Sequence, residues 1–310
     1  MTKRILITGG AGFIGSHLVD LFLGHGHGVT VIDNLLTGKR ENLNPKAVFH
    51  LMDIRAAELE KVFEAGSFDA VCHQAAQMDV RKSVADPLFD AQVNILGTLN
   101  LLQNCIRFNV KKVLFASTGG AIYGEQESFP CSEEHPTRPL CPYGITKLAV
   151  EKYLYYYRAE FGLNHVILRY ANVYGPRQNP HGEAGVVAIF TEKLLAGKQP
   201  VINGDGGQTR DYVFVGDVAD ANLKALSHAR DDIFNIGTGL ETDVNRIFRT
   251  LRSHTGSSAE EKHGPEKPGE QRRSVIDFAK AKKSLGWEPK VPLEQGLKKT
   301  VEYFREKQRG

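Results

Sequence analysis

The chain of 310 residues is poor in cysteine, has no strong excess of charge of one sign and contains no long apolar run. Its cysteines are Cys72, Cys105, Cys131 and Cys141. They show no CxxC spacing, and a chain of this length needs no disulfide framework, so we expect reduced thiols. The formal net charge of +3 gives no general affinity for nucleic acid. No segment approaches the ~18 apolar residues of a membrane span, and the N-terminal MTKRILITGG lacks the apolar region of a secretory signal. These absences favour a soluble, cytoplasmic protein.

Short apolar runs alternate with longer helical patterns in the first half of the chain. The runs that predict strands are 4–8, 29–33, 47–53, 69–75, 112–118 and 165–173. They are β-branched, aromatic-rich or continuously apolar, as strands covered on both faces should be. Helical patterns are clearest at 87–109 and 143–161. The alternation predicts an α/β fold with a doubly wound parallel sheet.

The character of the chain changes after Pro176, where connections become rich in proline and glycine and the elements become shorter. We therefore expect a first domain at 1–172 and a second, smaller α/β domain at 173–310. Parts of the second half, such as 211–219 within a segment near 211–236, are expected to return to the first sheet.

Apolar side chains surround the predicted helix 143–161. They are Leu148, Ala149, Val150, Tyr153, Leu154, Tyr155, Tyr156, Tyr157 and Phe161. These residues cannot share a single core-facing stripe, so the helix is buried on two sides within the chain or packs on another subunit. We expect a homodimer through this helix and 87–109.

The stretch TGGAGFIGSH, residues 8–17, follows the first strand and opens a helical pattern. Gly9, Gly12 and Gly15 stand in a G-x-x-G-x-x-G arrangement. Glycine permits the sharp turn and the close approach of the backbone to a pyrophosphate, and the helix N-terminus presents unpaired N–H groups to the phosphates. Glycine-rich turns are common, but a strand before and a helix after this one predict a Rossmann-type dinucleotide site.

Asp33 ends the second predicted strand, 18 residues beyond Gly15. This is near the spacing expected for an acid on the adenosine ribose, and a carboxylate there would repel a 2′-phosphate, so NAD is favoured over NADP. Asp53 closes the third strand and either meets the adenine or caps the strand end. His25 and His27 have no third ligand nearby, and we expect no bound metal.

Tyr143 and Lys147, in YGITK, are four residues apart at the start of a helix, so both side chains lie on one face. A phenol with a pKa of ~10 is a poor base, and lowering that pKa to ~7 takes roughly 4 kcal/mol of preferential stabilisation of the phenolate. A lysine ammonium and a cationic nicotinamide ring can jointly supply it. The match is common by chance, but here it follows Ser117 and Thr118 by one strand–loop unit.

The chain resembles the extended short-chain dehydrogenase/reductase family, because it has the glycine motif, Asp33, the Ser-Thr pair and YGITK in this order. The resemblance covers essentially the whole chain and includes RYANVYGPRQ (169–178), GDGGQTRDYVFVGDVA (204–219), NIGTG (235–239) and LGWEPKVPLEQGL (285–297). Together these blocks are similar to nucleotide-sugar members, and most similar to the UDP-hexose 4-epimerases. The resemblance implies an NAD-dependent isomerase of carbohydrate metabolism that interconverts UDP-glucose and UDP-galactose through a 4-keto sugar.

The resemblance also implies roles for individual residues. Thr118 would hydrogen-bond the reacting sugar oxygen, Tyr143 would accept its proton, and Lys147 would hold the nicotinamide ribose and acidify the tyrosine. The loop after Thr118 is one residue longer than the SSATVYG form of these epimerases, so Ser117 stays an alternative. The implied cofactor-binding residues are Gly9, Gly12, Phe13, Ile14, Gly15, Asp33, Asn34, Asp53, Ile54, Gln74, Ala75, Ala76, Asn94 and Lys147. The implied substrate-binding residues are Ser117, Asn172, Val187, Arg210, Lys267, Glu270 and Ser274.

Two of these positions concern the diphosphate. Asn172 would meet it, and Arg210 would clamp it, since a planar guanidinium suits oxyanions. The family's Arg-x-Gly-Asp/Glu block reads 267–270 here, with Lys267 in place of arginine. The lysine keeps the charge and loses the bidentate geometry, so either the affinity falls or Arg272 compensates.

Gly119 and Gly120 stand where dehydratase relatives carry an Asp-Glu pair and where decarboxylase relatives have a glutamate nearby. Elimination therefore has no general acid or base, whereas oxidation and re-reduction of one carbinol needs none beyond the tyrosine. Ser274 is small at a position where a tyrosine excludes N-acetylhexosamines, so the resemblance implies activity on UDP-GlcNAc and UDP-GalNAc as well. A UDP-glucuronate 4-epimerase and a net NAD-dependent sugar-nucleotide oxidoreductase stay open as alternatives.

Overall fold

The computed structural model describes residues 2–181, 185–266 and 271–309. The strands are β1 (Arg4–Thr8), β2 (Gly28–Asp33), β3 (Val48–Leu51), β4 (Ala70–His73), β5 (Lys112–Thr118), β6 (Asn164–Tyr170), β7 (Asn172–Tyr174), β8 (Ile202–Asn203), β9 (Thr209–Phe214), β10 (Asp232–Ile236), β11 (Glu241–Asp243), β12 (His263–Gly264) and β13 (Arg273–Ser274). The helices are α1 (Phe13–Gly24), α2 (Leu59–Gly66), α3 (Val80–Ala85), α4 (Pro87–Ala91), α5 (Gly97–Arg107), α6 (Pro142–Phe161), α7 (Val186–Leu195), α8 (Val215–Ser227), α9 (Val244–Thr255), α10 (Ala279–Leu285) and α11 (Leu293–Arg309). A 3₁₀ turn covers Arg40–Asn42, and a π-turn covers Gln92–Leu96.

A parallel seven-stranded sheet forms the centre of the fold, in the order β10-β6-β5-β4-β1-β2-β3. The chain moves outward from β1 through β2 and β3, then returns to the other side of β1 with β4. The carboxyl ends of β1 and β4 therefore flank the point where the strand order reverses, which is where doubly wound sheets bind ligands. The predicted fold class is confirmed.

Both faces of this sheet are covered by helices, which explains why its strands are continuously apolar. Ile5 and Ile7 of β1 pack into a cluster with α1 and α8 on one face. Leu6 faces the other side and packs into a cluster with α2, α5 and α6. All three side chains are fully buried.

The two predicted long helices differ in regularity. The segment 87–109 contains α4, the π-turn and α5, so its hydrogen-bond ladder widens in the middle, a feature common at functional sites. The segment 143–161 is the single helix α6, with Pro142 in its first turn and Gly162 as a left-handed C-cap. None of the helices in the described ranges is both long and apolar enough to cross a membrane.

A smaller second sheet has β9 at its centre, paired with β7, β11 and β13. Helices α7, α9 and α11 pack with these strands around a separate apolar cluster. The predicted strand 165–173 is divided between the two sheets, because β6 ends at Tyr170 and β7 begins at Asn172.

The second half of the chain contributes to both sheets. Residues 211–214, which we expected to return to the first sheet, lie in β9 of the second sheet. In contrast, α8 packs against α1, and β10 pairs with β6 at the edge of the central sheet. The domain boundary between residues 172 and 173 stays a prediction.

Candidate active site

The glycine turn between β1 and α1 is closely packed. Gly9 has φ +70°, and a Cβ there would lie 2.7 Å from the backbone nitrogen of Ala75. A Cβ on Gly15 would lie 2.1 Å from the carbonyl oxygen of Gly9. Gly12 is the N-cap of α1 and supplies no side-chain cap, so N–H groups of the first turn stay available to an anion. This geometry fits the pyrophosphate of a dinucleotide.

Phe13 and Ile14 form the start of α1 and pack against the apolar cluster of the second sheet. The first turn of the helix therefore lies between the two sheets. This position brings the predicted phosphate-binding turn next to the predicted substrate region.

Asp33 is fixed at the end of β2, beside the glycine turn. Its Oδ2 accepts a hydrogen bond from the N–H of Ala11 at 3.0 Å, and its Oδ1 accepts one from the N–H of Leu35 at 2.8 Å. Burial raises the pKa of the Asp33 carboxyl, and these two N–H groups act in the opposite direction. The carboxylate therefore stands at the sheet edge where the adenosine ribose of a dinucleotide would lie.

Asp53 and Asn34 meet at the same edge. Asn34 Nδ2 donates to Asp53 Oδ2 at 2.9 Å, and the Arg55 guanidinium pairs with both carboxylate oxygens at 2.8 and 2.9 Å. The side-chain hydrogen bond from Arg55 lowers the pKa of Asp53 to about 2. These contacts fit the alternative that Asp53 caps the end of the strand. They do not test the predicted contact of Asp53 with the adenine. Ile54 beside them is buried and packs against Gly97.

Gln74, Ala75 and Ala76 follow β4 directly and are half-buried. The N–H of Gln74 donates to the carbonyl oxygen of Thr8 at 3.1 Å, and the N–H of Ala75 donates to the Thr8 hydroxyl at 3.2 Å. These bonds continue the sheet pairing beyond β4 and hold the loop against the glycine turn. The predicted cofactor residues of β1, β2 and β4 are therefore brought together at one edge.

Thr118, Tyr143 and Lys147 are brought together where β5 ends and α6 begins. The Thr118 hydroxyl lies close enough to the Tyr143 phenol to lower its pKa. The ammonium group of Lys147 lies 5.9 Å from the centroid of the Tyr143 ring and donates to the carbonyl oxygen of Ala116 at 2.8 Å. The three predicted catalytic side chains form one group.

Burial controls the ionisation of this group. It raises the pKa of the Tyr143 phenol above its ordinary value, against the smaller and opposite effect of the Thr118 hydroxyl. It also lowers the pKa of Lys147 to about 8. Phenolate formation in this pocket therefore depends on positive charge close to the oxygen.

Ser117, the alternative to Thr118, is turned away from this group. Successive side chains of a strand face opposite sides, and Ser117 Oγ donates to Glu151 Oε1 at 2.6 Å inside the protein. Glu151 is also bound by the Arg169 guanidinium at 2.6 and 3.0 Å. The single hydroxyl proton of Ser117 is thus engaged, so the predicted contact of Ser117 with substrate is not supported by this geometry.

Four of the residues predicted for substrate lie on the second sheet or on its helix α7. Asn172 begins β7 and is exposed, and Val187 is buried in α7. Arg210 in β9 and Ser274 in β13 are neighbours in the strand register, and Ser274 is buried. The Arg210 guanidinium donates to the carbonyl oxygen of Thr209 at 2.8 Å.

The block at 267–270 gives no geometry for the diphosphate. Lys267 and Glu270 lie outside the described residues. Arg272, considered above as a substitute for the family arginine, pairs with both oxygens of Asp205 at 2.9 and 2.7 Å. A phosphate contact by Arg272 would use its remaining N–H groups or replace that ion pair.

The two glycines after Thr118 have different surroundings. A Cβ on Gly119 would lie 2.7 Å from Ile276 Cδ1 and 3.2 Å from the carbonyl oxygen of Tyr170, so a side chain there would require Ile276 to shift. A Cβ on Gly120 would lie 3.7 Å from Asn172 Oδ1 and 3.9 Å from Thr118 Oγ1. A side chain at residue 120 would therefore stand beside both polar groups, and glycine leaves that space open.

Asn94 lies in the π-turn and is buried. Its Oδ1 accepts from the N–H of Gln77 at 2.8 Å, and its Nδ2 donates to the carbonyl oxygen of Gln77 at 2.9 Å. The amide therefore holds the loop that follows Ala76. The Asn94 side chain also contacts Asp90 Oδ1 at 3.1 Å and the Thr146 hydroxyl at 3.2 Å. The sequence did not lead us to these two partners, although an acid in the predicted helix 87–109 was a signal.

Within residues 2–181, 185–266 and 271–309, no three His, Cys, Asp or Glu side chains form a group that could hold a metal ion. Of the two histidines singled out above, His27 uses its Nδ1 to accept a hydrogen bond from the N–H of Lys3 at 3.2 Å.

Comparison with known proteins agrees with this geometry. The NAD dependent epimerase/dehydratase family matches residues 5–237. Three 4-epimerases are among the solved structures that are similar over almost the whole chain. UDP-glucose 4-epimerase from Thermotoga maritima, solved with UDP-glucose, is 52% identical with a TM-score of 0.96, covering 98% of this chain and 99% of that one. UDP-glucose 4-epimerase from Thermus thermophilus, in complex with NAD, is 47% identical with a TM-score of 0.93, covering 97% and 99%.

The third structure is UDP-N-acetylglucosamine 4-epimerase from Methanobrevibacter ruminantium, in complex with UDP-N-acetylmuramic acid. It is 36% identical with a TM-score of 0.94 and covers 99% of both chains. These findings confirm the resemblance to the extended short-chain dehydrogenases/reductases and NAD as the cofactor. The chain belongs to the NAD dependent epimerase/dehydratase family.

Proposed function

We propose that this protein is an NAD-dependent 4-epimerase that interconverts UDP-glucose and UDP-galactose. The observation that carries the proposal is the group of Thr118, Tyr143 and Lys147, together with the two glycines that follow Thr118 where an eliminating enzyme needs an acid and a base. The Thermotoga maritima relative, which is named for this activity, supports it.

The chain's own residues perform the proton chemistry of this reaction. Tyr143 takes the proton from the 4′-hydroxyl of the hexose, while Thr118 holds the same oxygen by a hydrogen bond. NAD, when bound, supplies the acceptor and then the donor of the hydride. Once the 4-keto sugar has turned its other face to the site, Tyr143 returns the proton to the new hydroxyl. A diphosphate held by Asn172 and Arg210 would keep the sugar in the site while it turns.

Lys147 and the bound cofactor would jointly make Tyr143 a base. Burial raises the pKa of the phenol, so the required stabilisation exceeds the roughly 4 kcal/mol that separates a pKa of ~10 from ~7. The buried ammonium lies on the same side of the helix as the phenol, and a nicotinamide cation adds a second positive charge. The site is therefore active only when loaded, which suits an enzyme that retains its cofactor.

A proton NMR time course tests the function. We expect purified protein to convert UDP-glucose into UDP-galactose with no NAD added, because the hydride returns to the sugar within each turnover. Accumulation of NADH with added NAD would instead indicate a net oxidoreductase. Conversion of UDP-glucuronate but not of UDP-glucose would instead indicate a UDP-glucuronate 4-epimerase.

The size of Ser274 favours a wider range of substrates. Its side chain is buried where β13 pairs with β9, next to Arg210, and it fills little space. The Methanobrevibacter ruminantium relative is named for UDP-N-acetylglucosamine. We therefore also assign UDP-GlcNAc and UDP-GalNAc to this site.

The exposed side of α6 supports a homodimer. Val150 and Leu154 are buried against the central sheet, whereas Tyr155 and Tyr156 are 72% and 50% exposed. Leu88 of α4 is 75% exposed. Burial of such side chains between two copies would remove a large apolar surface from water.

Light scattering after size exclusion tests the dimer. We expect the mass of two chains for the wild type and the mass of one for a Tyr155→Glu, Tyr156→Glu double variant, because charge at a buried interface is costly. A single-chain mass for the wild type at micromolar concentration would refute the dimer. None of the four cysteines forms a disulfide, which favours a reducing compartment, so we also propose the cytoplasm as the location.

A further inference from the structure

Asp90 is a fully buried carboxylate that the chemistry above does not use. Its Oδ1 accepts hydrogen bonds from Gln77 Nε2 at 2.8 Å and Asn94 Nδ2 at 3.1 Å. Its Oδ2 accepts one from the Thr146 hydroxyl at 2.8 Å. All three donors are neutral. A buried carboxylate with neutral partners is costly unless a cation lies close enough to interact with it.

These contacts join three segments around the catalytic helix. Asp90 belongs to α4, Asn94 to the π-turn, and Gln77 to the loop after β4 that carries predicted cofactor residues. Thr146 precedes Lys147 in α6, and its hydroxyl also lies 3.0 Å from the carbonyl oxygen of Tyr143. One carboxylate thus connects the cofactor side of the site to the helix that bears the proton acceptor.

The cation on which the Asp90 charge acts is Lys147. Two acids act on its buried ammonium group, Asp90 from α4 and Glu151 from its own helix. Glu151 is bound on both oxygens by the Arg169 guanidinium, which compensates much of its charge. The hydrogen-bond donors to Asp90 are all neutral. Its negative charge is therefore less compensated than that of Glu151 when it acts on Lys147.

The other groups around Lys147 carry little charge. Burial, and then the charge of Lys147, lower the pKa of His73 in β4 to about 3, so that its imidazole is neutral. The aromatic ring of Phe115 in β5 lies 4.8 Å from the ammonium nitrogen. The Tyr143 phenol is neutral at rest because burial raises its pKa. A negative charge in this surrounding has a large effect on Lys147.

We propose that Asp90 is a positioning residue for the epimerisation, which joins the Gln77 loop and the π-turn to α6 and supplies the negative charge that keeps Lys147 protonated beside Tyr143. The proposal rests on the function proposed above. The same charge opposes ionisation of Tyr143. Asp90 therefore favours the protonated form of both Lys147 and Tyr143. It acts through them and does not touch the substrate.

The direction in which removal of the Asp90 charge shifts the pKa of Lys147 and of Tyr143 follows from how that charge acts on each group. Burial lowers the pKa of Lys147 to about 8, and the Asp90 carboxylate acts against it. Without that carboxylate, Lys147 loses its proton at lower pH, and the pKa of Tyr143 falls as well. Loosening of the structure alone would shift the two pKa values in opposite directions, because less burial raises the pKa of Lys147 and lowers that of Tyr143.

The test compares Asp90→Asn with Thr146→Val. Asparagine has the shape of aspartate, and its Oδ1 can keep the bonds from Gln77 and Asn94, while the Thr146 hydroxyl can turn toward the Tyr143 carbonyl. Thr146→Val removes one hydrogen bond to Asp90 and leaves the charge. Asp90→Ser removes the charge with a smaller side chain, and it is used if Asp90→Asn does not fold.

Two readouts are needed. NMR of the full chain labelled with ¹³C at the lysine ε-carbons follows Lys147 without substrate, and Lys147→Met assigns the signal. The second is the pH dependence of kcat/KM. We expect Asp90→Asn to shift both the Lys147 titration and the basic limb of kcat/KM to lower pH by about one unit. Thr146→Val should leave both near the wild type.

An unchanged Lys147 titration in Asp90→Asn would overturn the proposal, even if activity fell. An equal shift in Thr146→Val would overturn it too, because the charge would then be irrelevant. Since the lysine signal needs no turnover, an inactive wild type would count against the proposed function and leave the comparison of titrations intact.

Discussion

Replacement of Tyr143 by phenylalanine is expected to lower kcat for UDP-glucose by roughly a thousand-fold, within the range for loss of a positioned general base. The variant removes one oxygen from the group formed with Thr118 and Lys147 and leaves the ring in place. Because Tyr143 lies at the start of α6 and the predicted phosphate-binding turn lies at the start of α1, bound NAD should be retained. The measurements are initial rates and the NAD released from denatured protein.

Tyr155→Phe is the matched control, since Tyr155 lies on the same helix and is 72% exposed. It should keep full activity, because the ring that we place in the dimer surface is preserved. Activity near that of the wild type in Tyr143→Phe would remove Tyr143 from the mechanism. Loss of NAD from that variant would make its low activity uninformative about proton transfer and would indicate that the phenol helps to hold the cofactor.

Replacement of Ser274 by tyrosine is expected to reduce kcat/KM for UDP-GlcNAc by roughly 100-fold or more, while kcat/KM for UDP-glucose changes only a few-fold. Ser274 is buried next to Arg210 in the register of β13 and β9, so a ring there occupies space that the larger 2-acetamido group requires. Both substrates are assayed on each variant by NMR.

Ser274→Ala is the control, because it changes the polarity and hardly changes the volume. It should retain activity on both substrates. Equal losses on both substrates in Ser274→Tyr would indicate general damage to the sheet by overpacking, and unchanged discrimination would remove Ser274 from substrate selection.

The parts of the site that lie close together in the sequence could be predicted from it. The glycine turn is one such part, because strand, turn and helix follow each other and the turn demands residues without a Cβ. The pair Tyr143 and Lys147 is another, because helical periodicity alone places both on one face. The strand pattern was sufficient for the doubly wound sheet, since both faces are covered and the strands are continuously apolar.

Other features depend on which segments meet in space. Nothing local separates Ser117 from Thr118, and only the packing of α6 on one face of β5 shows that Ser117 meets Glu151. In the sequence, Asp90 looks like a solvated acid on a helix, and only the structure shows its three hydrogen-bond donors. Arg272 was considered for phosphate, and its pairing with Asp205 joins residues far apart in the sequence. The strand 165–173 is divided because its end pairs with β9, far along the chain.

The most direct test of the central claim uses UDP-glucose that carries deuterium at C4, incubated with the protein in ordinary water without added NAD. The product is isolated and its C4 is analysed by NMR and mass spectrometry. Hydride transfer to a retained cofactor and back predicts UDP-galactose that keeps its deuterium at C4. UDP-galactose with hydrogen from water at C4 would contradict the account.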